Sequence, residues 1–481
     1  MRREVDVVVL GMGPGGEHAA NRLAAAGLDV VGVEAELVGG ECPYWGCVPS
    51  KMMIRAANLL AEARRIPGTA GQAEVKADWK PVATRIREEA TDDWDDTAAV
   101  QRFTDKGGEL VRGHGRLAGP RTVQVDDLVL AARRGVVLAT GAVPQLPPVP
   151  GLADVPYWTH REAIRAEHRP DSLLVLGGGA IGLELAQVLA RFGTEVTVVE
   201  AAQRLLPGEE PEAGTVLAGV LRSDGLRIRV GRRAVSAAYR SGASVLSLED
   251  GEELTAQRLL VATGRRPDLS RLGLDTVGLD PKAQRVTVDG QMLAAPGLWA
   301  VGDLTGRGPF THVALYQAEL AARAVLGRPG PPADYRALPR VTFTDPEVAS
   351  VGLTEAAARE RGLRVRTGSA DIPKAARGWI HGPGNAGVVK LVEDADRGVL
   401  VGATAVAPTG GEVLYGLAVA VHAEVPVDRL QQMILAYPTF HRAVEHALAA
   451  LHEPNSATIG RRGFAAAGQT GGPEVRRTWL Y

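Results

Sequence analysis

The 481-residue chain has only two cysteines, and they fall together in Gly39-Gly40-Glu41-Cys42-Pro43-Tyr44-Trp45-Gly46-Cys47-Val48-Pro49-Ser50-Lys51. A thiol pair at this spacing can pass between dithiol and disulfide, ligate a metal, or sit as two buried bystanders. Metal binding needs further ligands, and no His or Cys cluster accompanies the loop, so no metal is assigned. Two cysteines also cannot make a disulfide framework for a chain of this length. In a regular helix, residues five apart point in diverging directions. A disulfide here therefore demands a distorted turn, which Gly46 and Pro49 can supply. Pro43 suits the first turn of a helix, where its missing N–H is not needed. Redox chemistry is the leading reading of the pair.

Electrons must reach such a pair from somewhere, and the elements around it suggest the source. Residues 5–10 (VDVVVL) read as a buried strand, followed by Gly11-Met12-Gly13-Pro14-Gly15-Gly16, a helix ending near Gly27, and a strand over 29–34. The order recurs with a strand at 172–177, Gly177-Gly178-Gly179-Ala180-Ile181-Gly182, a helix through Phe192, and a strand at 195–200. Both copies end their second strand in an acid, and Gly11 to Glu34 and Gly177 to Glu200 each span 23 positions. In such a βαβ unit the first glycine makes the tight turn, the second admits a pyrophosphate, and the third lets helix and strand pack closely. The pyrophosphate rests on the helix N-terminus, and the acid accepts hydrogen bonds from the ribose. A single fingerprint is weak; two, each in strand–turn–helix context, give two dinucleotide sites. Glu200 would repel a 2′-phosphate and favours NAD(H) over NADP(H), with Arg204 four residues on as the residue able to reach a phosphate instead.

Bulk properties fit this reading. At roughly 150 residues per domain the length suggests about three domains. Hydrophobic residues make up 45% and charged residues 23%, which is ordinary globular usage. A formal charge of −2 gives no field to recruit nucleic acid or an anionic membrane. No apolar run approaches the roughly 18–20 residues of a membrane span. The N-terminal residues run straight into a glycine turn with no small-residue cleavage site, so a signal peptide fits poorly and a cytoplasmic setting is expected.

The segment GGECPYWGCVPSK resembles the redox-active segment of the flavin-dependent pyridine nucleotide–disulfide oxidoreductases, the family of lipoamide dehydrogenase, glutathione reductase and mercuric reductase. The likeness runs over residues 4–452. Val137–Gly141 and Val261–Pro267 resemble the family's two ATG segments, and Leu298–Asp303 the segment whose aspartate holds the flavin ribityl chain. Val341–Gly352 looks like the opening of its dimerisation domain. The resemblance implies an α/β fold with two Rossmann-like dinucleotide-binding domains, for FAD and NAD(P), plus a C-terminal α+β dimerisation domain. Gly11, Gly13, Gly16 and Glu34 would hold the ADP half of FAD, and Asp303 its ribityl hydroxyls. Gly177, Gly179, Gly182 and Glu200 would hold NAD(P)H, while Gly40, Lys51, Thr140, Gly141 and Gly264 complete the cofactor-binding set. Cys47 matches the thiol against the flavin, Cys42 the thiol facing substrate, and Lys51 with Glu184 the ion pair beside the flavin N5. Without the family, Lys51 and Glu184 would be merely exposed helix residues. Electrons would pass from NAD(P)H through flavin to the Cys42–Cys47 disulfide, and on to a small-molecule disulfide; oxidation of a dithiol by NAD is equally allowed.

One segment departs from the family. Its disulfide-reducing members carry a His-Pro-Thr near the C-terminus, with a glutamate five residues after the histidine. Here the residues are Tyr437-Pro438-Thr439-Phe440-His441-Arg442. A phenol with a reference pKa of about 10 is no substitute for imidazole near neutrality. General-base help is worth about 10²- to 10⁴-fold, so fast turnover of ordinary disulfides is in doubt. His441 and Glu445, at i and i+4, would share a helix face and could form a displaced dyad. Mercuric reductase has a tyrosine in this region, but also an extra cysteine pair that this chain lacks. The alternative reading is reduction of quinones or metal ions by the flavin directly. Tyr44 and Trp45 also depart from the small or aliphatic residues usual there; they either narrow the substrate entrance or pack.

The expected organisation is an FAD-binding domain from 1–150 and 268–335, an inserted NAD(P) domain at 151–267, and an interface domain at 336–452 that makes a homodimer. The residues from Glu453 read as a flexible tail.

Overall fold

The computed structural model describes residues 1–328 and 330–452, and the expected tail lies outside them. Two compact units result: Met1–Pro207 with Leu221–Tyr335, and Gly208–Val220 with the described residues from Arg336 to His452.

The first unit contains both expected βαβ repeats. Strand Arg2–Leu10 pairs in parallel with Val30–Glu34 on one side and Leu128–Leu138 on the other. Its Val5, Val7, Val8 and Val9 are fully buried, the pattern of a strand covered on both faces. The sheet runs Leu293–Ala295, Leu298–Ala300, Leu128–Leu138, Arg2–Leu10, Val30–Glu34, Glu109–Arg112, so that the segment after residue 290 returns to the N-terminal sheet. Helix Pro14–Ala25 covers one face with Ala19, Ala20 and Leu23. In the second repeat, strands Arg227–Val230, Glu195–Glu200, Ser172–Leu176 and Arg258–Val261 form a four-stranded parallel sheet. A three-stranded antiparallel sheet over 234–256 follows it in the same segment. The chain passes from one repeat to the other through Val143–Pro144 and returns through Arg265–Arg266, and these two short strands pair antiparallel.

The second unit is built on a five-stranded antiparallel sheet in the order Pro339–Thr342, Glu347–Gly352, Val399–Ala407, Val388–Asp394, Val365–Asp371. Helices Gly410–His422 and Arg442–Ala450 bury Val413, Leu414, Leu417, Val444 and Leu448 in its core. Residues 208–220 fall inside the stretch expected to fold with the nicotinamide repeat, yet they group with this unit. Lys390 explains their place. It is 5% exposed, and its ammonium lies 2.9 Å from each of Glu210, Glu212 and Glu355. Burial alone would lower its pKa, but hydrogen bonds to those three carboxylates raise it above the ordinary lysine value.

Removing one partner from a buried ionic cluster strands the others. Lys390→Met is expected to cost about 3–5 kcal/mol, read as a lower urea midpoint for the intact protein.

Candidate active site: a polarised thiol pair

Local backbone geometry brings the two cysteines together. Glu41–Tyr44 makes one helical turn, Gly46 breaks it at φ −135°, ψ −111°, and a 19-residue helix starts at Cys47. This is the distorted turn that the spacing required. Both thiols are free, Cys42 partly buried and Cys47 exposed. The Cys42 thiol donates a hydrogen bond to Cys47 and holds its pKa down to about 6. Thr311 Oγ1, 3.5 Å from the Cys47 sulfur, and the positive charge of Lys51 act in the same direction, while desolvation of the sulfur opposes them. Cys47 opens its own helix and Thr311 opens helix Thr311–Val325, so two helix N-termini converge on one sulfur. Such ends favour an anion. The shared hydrogen bond and burial push Cys42 far up instead. The pair is polarised: a neutral thiol beside a thiolate.

Lys51 stands one helical turn after Cys47, its ammonium 2.9 Å from Glu184. Glu184 is 7% exposed, on the helix that follows the second glycine turn. Residues that would be exposed helix positions by themselves are thus joined, and one of them is buried.

The two glycine turns repeat each other closely. Gly11 and Gly177 have φ of +91° and +115°, and a Cβ on either would lie 2.6 or 2.4 Å from the carbonyl oxygen of Ala139 or Ala262, in the two ATG segments. A Cβ on Gly16 or Gly182 would lie 1.9 or 2.5 Å from the oxygen of Gly11 or Gly177. Gly13 and Gly179, by contrast, face open space. Glu34 accepts from the amides of Met12 at 2.6 Å and Glu36 at 2.8 Å. Glu200 accepts at 2.6 Å from both Gly178 and Ala202. Each turn therefore has tight first and third glycines, an open middle one, and an acid fixed at its rim. A dinucleotide fits this arrangement. Gly40, at φ +61°, lies so close to the first turn that its Cβ would come within 2.7 Å of Gly13 Cα. Thr140 and Gly141 follow Ala139, and Gly264 follows the second ATG alanine. Arg204 donates to the carbonyls of Leu206 at 3.0 Å and Pro207 at 2.7 Å.

Asp303 begins a short 3₁₀ turn after Gly302, whose amide donates to buried Gln317 at 2.7 Å. Burial raises the Asp303 pKa, although Arg265, 3.9 Å away, opposes this.

Several residues here carried no sequence signal. Glu41 accepts from Arg161 and, at 3.0 Å, from Arg265, and its carboxylate lies 2.6 Å from His160. Burial would raise its pKa, but the His160 hydrogen bond and the charges of Arg265 and Arg161 hold it well below the carboxylate range. Tyr44 and Trp45 are 6% and 8% exposed, so they pack. A glutamate next to a redox cysteine was the one legible hint of this cluster. Thr311 offered none.

The C-terminal residues belong to the second unit. Tyr437 is 64% exposed, with the Arg442 guanidinium 5.8 Å from its ring centre, and His441 is exposed. Glu445 is ion-paired with Arg442. The displaced His441–Glu445 dyad is therefore not the pairing found; Arg442, one residue nearer, takes the carboxylate.

Residues 5–318 match the family model for pyridine nucleotide-disulphide oxidoreductases, and residues 338–448 that of their dimerisation domain. The chain belongs to the pyridine nucleotide-disulphide oxidoreductase family. It is 34% identical to dihydrolipoyl dehydrogenase of Thermus scotoductus, covering 93% of this chain and 97% of the relative. It is also 34% identical to mercuric reductase of Acidithiobacillus ferrooxidans, covering 91% and 81%. The crystal structure of LpdA from Mycobacterium tuberculosis superposes with a TM-score of 0.81 at 27% identity, over 93% of this chain and all of that one. The HOCl-induced flavoprotein disulfide reductase RclA of Escherichia coli shares the fold, with a TM-score of 0.81 at 24% identity over 92% of this chain and 99% of that one. As a pyridine nucleotide-disulphide oxidoreductase, the chain is an oxidoreductase acting on sulfur groups, and its family uses FAD and a pyridine nucleotide. The dimerisation domain supports a homodimer, and its unit exposes Trp379, Ile380, Tyr415, Met433 and Ile434. Among the described residues no helix is long and apolar enough to cross a membrane.

Alkylation should report the polarised pair. In the reduced protein the rate with iodoacetamide should rise through a midpoint near pH 6, since Cys47 becomes thiolate above that value, rather than near the 8.5 or so of a free thiol. Lys51→Met should move the midpoint up, because the charge that favours the thiolate is gone.

Proposed function

We propose that this chain exchanges two electrons between NAD(H) and a small-molecule disulfide or dithiol, with Cys42 meeting the acceptor and Cys47 facing FAD, as in dihydrolipoyl dehydrogenase. The observation that carries the reading is the placing of Cys47 beside Cys42 at the start of its own helix, 3.5 Å from Thr311 at the start of another and one turn before Lys51, an arrangement that favours a thiolate at Cys47. Gly11, Gly13, Gly16, Glu34, Gly40, Thr140, Gly141 and Asp303 would hold FAD, and Gly177, Gly179, Gly182, Glu200 and Gly264 the nicotinamide dinucleotide. When bound, FAD supplies a two-electron carrier between the nicotinamide and the disulfide.

The residues of the chain do the rest. Glu184 holds Lys51 so that its charge stays beside the thiolate. Cys42 must lose its proton to attack an acceptor disulfide, and Cys47 is the base already within hydrogen-bond reach. Cys42 then bonds one acceptor sulfur and releases the other as a thiol, which takes the proton. Cys47 attacks Cys42, closes the internal disulfide and expels the second thiol, with the second proton taken from solvent when Cys47 starts as thiolate.

NADH is preferred in this reading, because Glu200 is fixed by two amides where a 2′-phosphate would sit and Arg204 is occupied by two carbonyls. A cytoplasmic setting goes with it, since a dithiol couple fed by NADH works where thiols stay reduced. Replacement of the usual histidine by Tyr437, and the engagement of Glu445 by Arg442, favour a second reading in which quinones or metal ions take electrons without the thiols.

Steady-state assays separate the two. With lipoamide, Cys42→Ser should abolish turnover, and kcat/KM for NADH should exceed that for NADPH at least tenfold. Tyr437→His with Arg442→Glu should raise lipoamide turnover by about 10- to 100-fold, toward the usual worth of a general base. If Cys42→Ser keeps full activity with a quinone and the parent ignores disulfides, the second reading holds.

A further inference from the structure

The residues between the cysteines are held from outside the redox segment. Thr159 caps helix His160–Arg165 through a reciprocal box with Glu162, which fixes the direction of its side chains. Arg161 on this helix pairs with Glu41, immediately before Cys42, and with Glu36 at 3.0 Å. The same guanidinium lies 5.3 Å from the ring centre of Trp45, on the other side of Cys42. Arg165, one turn later, lies 5.2 Å from Trp45 and 4.7 Å from Trp94. Trp45 and Trp94 stack with centres 5.5 Å apart at 24°, and the Trp94 indole N–H donates to the Tyr44 carbonyl at 3.3 Å.

Trp94 pays a conformational cost to be there. Asp92, Asp93 and Trp94 have φ of +48°, +53° and +59°, three successive side-chain-bearing residues in the left-handed region, after a π-helical turn at Ile86–Ala90. Strain of this kind persists only where surrounding contacts over-determine it. Here the stack on Trp45, the Arg165 guanidinium and the indole hydrogen bond do so.

We propose that Arg161 is a positioning residue for the redox pair. It grips Glu41 before Cys42 and Trp45 after it, and so fixes where the Cys42 sulfur stands relative to Cys47. The inference rests on Cys42 and Cys47 being the redox couple, and it goes beyond that by assigning their alignment to a helix far away in sequence. Arg161 supplies two things at once: a charge for Glu41, and a flat face for Trp45 that lysine lacks. Freed of the clamp, the turn holds the two sulfurs less well at bonding distance, which disfavours the disulfide.

The test equilibrates the FAD-loaded, full-length protein in dithiothreitol redox buffers and counts free thiols by labelling. Each dithiothreitol gives two electrons and two protons to open the Cys42–Cys47 disulfide and closes into its own ring. Arg161→Gln should shift this equilibrium constant at least threefold toward the dithiol. Arg161→Lys should recover part of the shift, and Trp94→Leu should move it the same way. Loss of thermal stability alone would not produce this pattern. The proposal is overturned if Arg161→Gln and Trp94→Leu, folded and with normal flavin content, keep the parent constant. Should Arg161→Gln fail to fold, Arg161→Lys and Trp94→Leu decide by the same reading. A parent protein that forms no Cys42–Cys47 disulfide would overturn the proposed function first, and this inference with it.

Discussion

A negative charge on Cys47 must be kept next to a neutral thiol only five residues away, and much of the first unit is arranged around that requirement. The charge is supported by groups from separate stretches of chain: the start of its own helix, the start of the Thr311 helix, and Lys51 one turn along. Lys51 in turn is held by Glu184, two residues beyond Gly182. Gly182 packs so closely that a side chain would run into the Gly177 carbonyl, so the glycine turn expected to serve a nucleotide also sets where Glu184 stands. The nucleotide fold and the thiol chemistry share one geometric support.

The two glycine turns show how far identical backbone demands lead to identical solutions. In each, the first glycine lies against the carbonyl of the ATG alanine, and the acid ending the second strand accepts from the residue after that glycine. The carboxylates are thus already oriented by backbone amides. A ribose would meet acceptors that need little rearrangement, which reduces the entropy lost on binding.

Much of this was legible in the chain itself. Glycine spacing, apolar strands and matched acids are local patterns, and they led to both repeats with boundaries within a few residues of those observed. The break between Cys42 and Cys47 was readable from Gly46. What could not be read were partners chosen by topology: Glu41 with His160 and Arg265, Trp45 with Trp94, and Cys47 with Thr311. No periodicity records a contact across 119, 224 or 264 positions. The grouping of residues 208–220 with the C-terminal sheet was hidden for the same reason, since Lys390 lies 180 positions from Glu210. His441 and Glu445 mark the opposite error: helical spacing put them together, but Arg442 was nearer and carried a full charge.

The exit strand Val143–Pro144 and the return strand Arg265–Arg266 run side by side. The chain therefore enters and leaves the middle stretch at one doorway, and exchanging that stretch would cut side-chain pairs such as Lys51–Glu184 but none of the hydrogen bonds of the host sheet. A fold with such a gate can acquire a second nucleotide module as a cassette, by splicing a copy of its own βαβ unit into one loop.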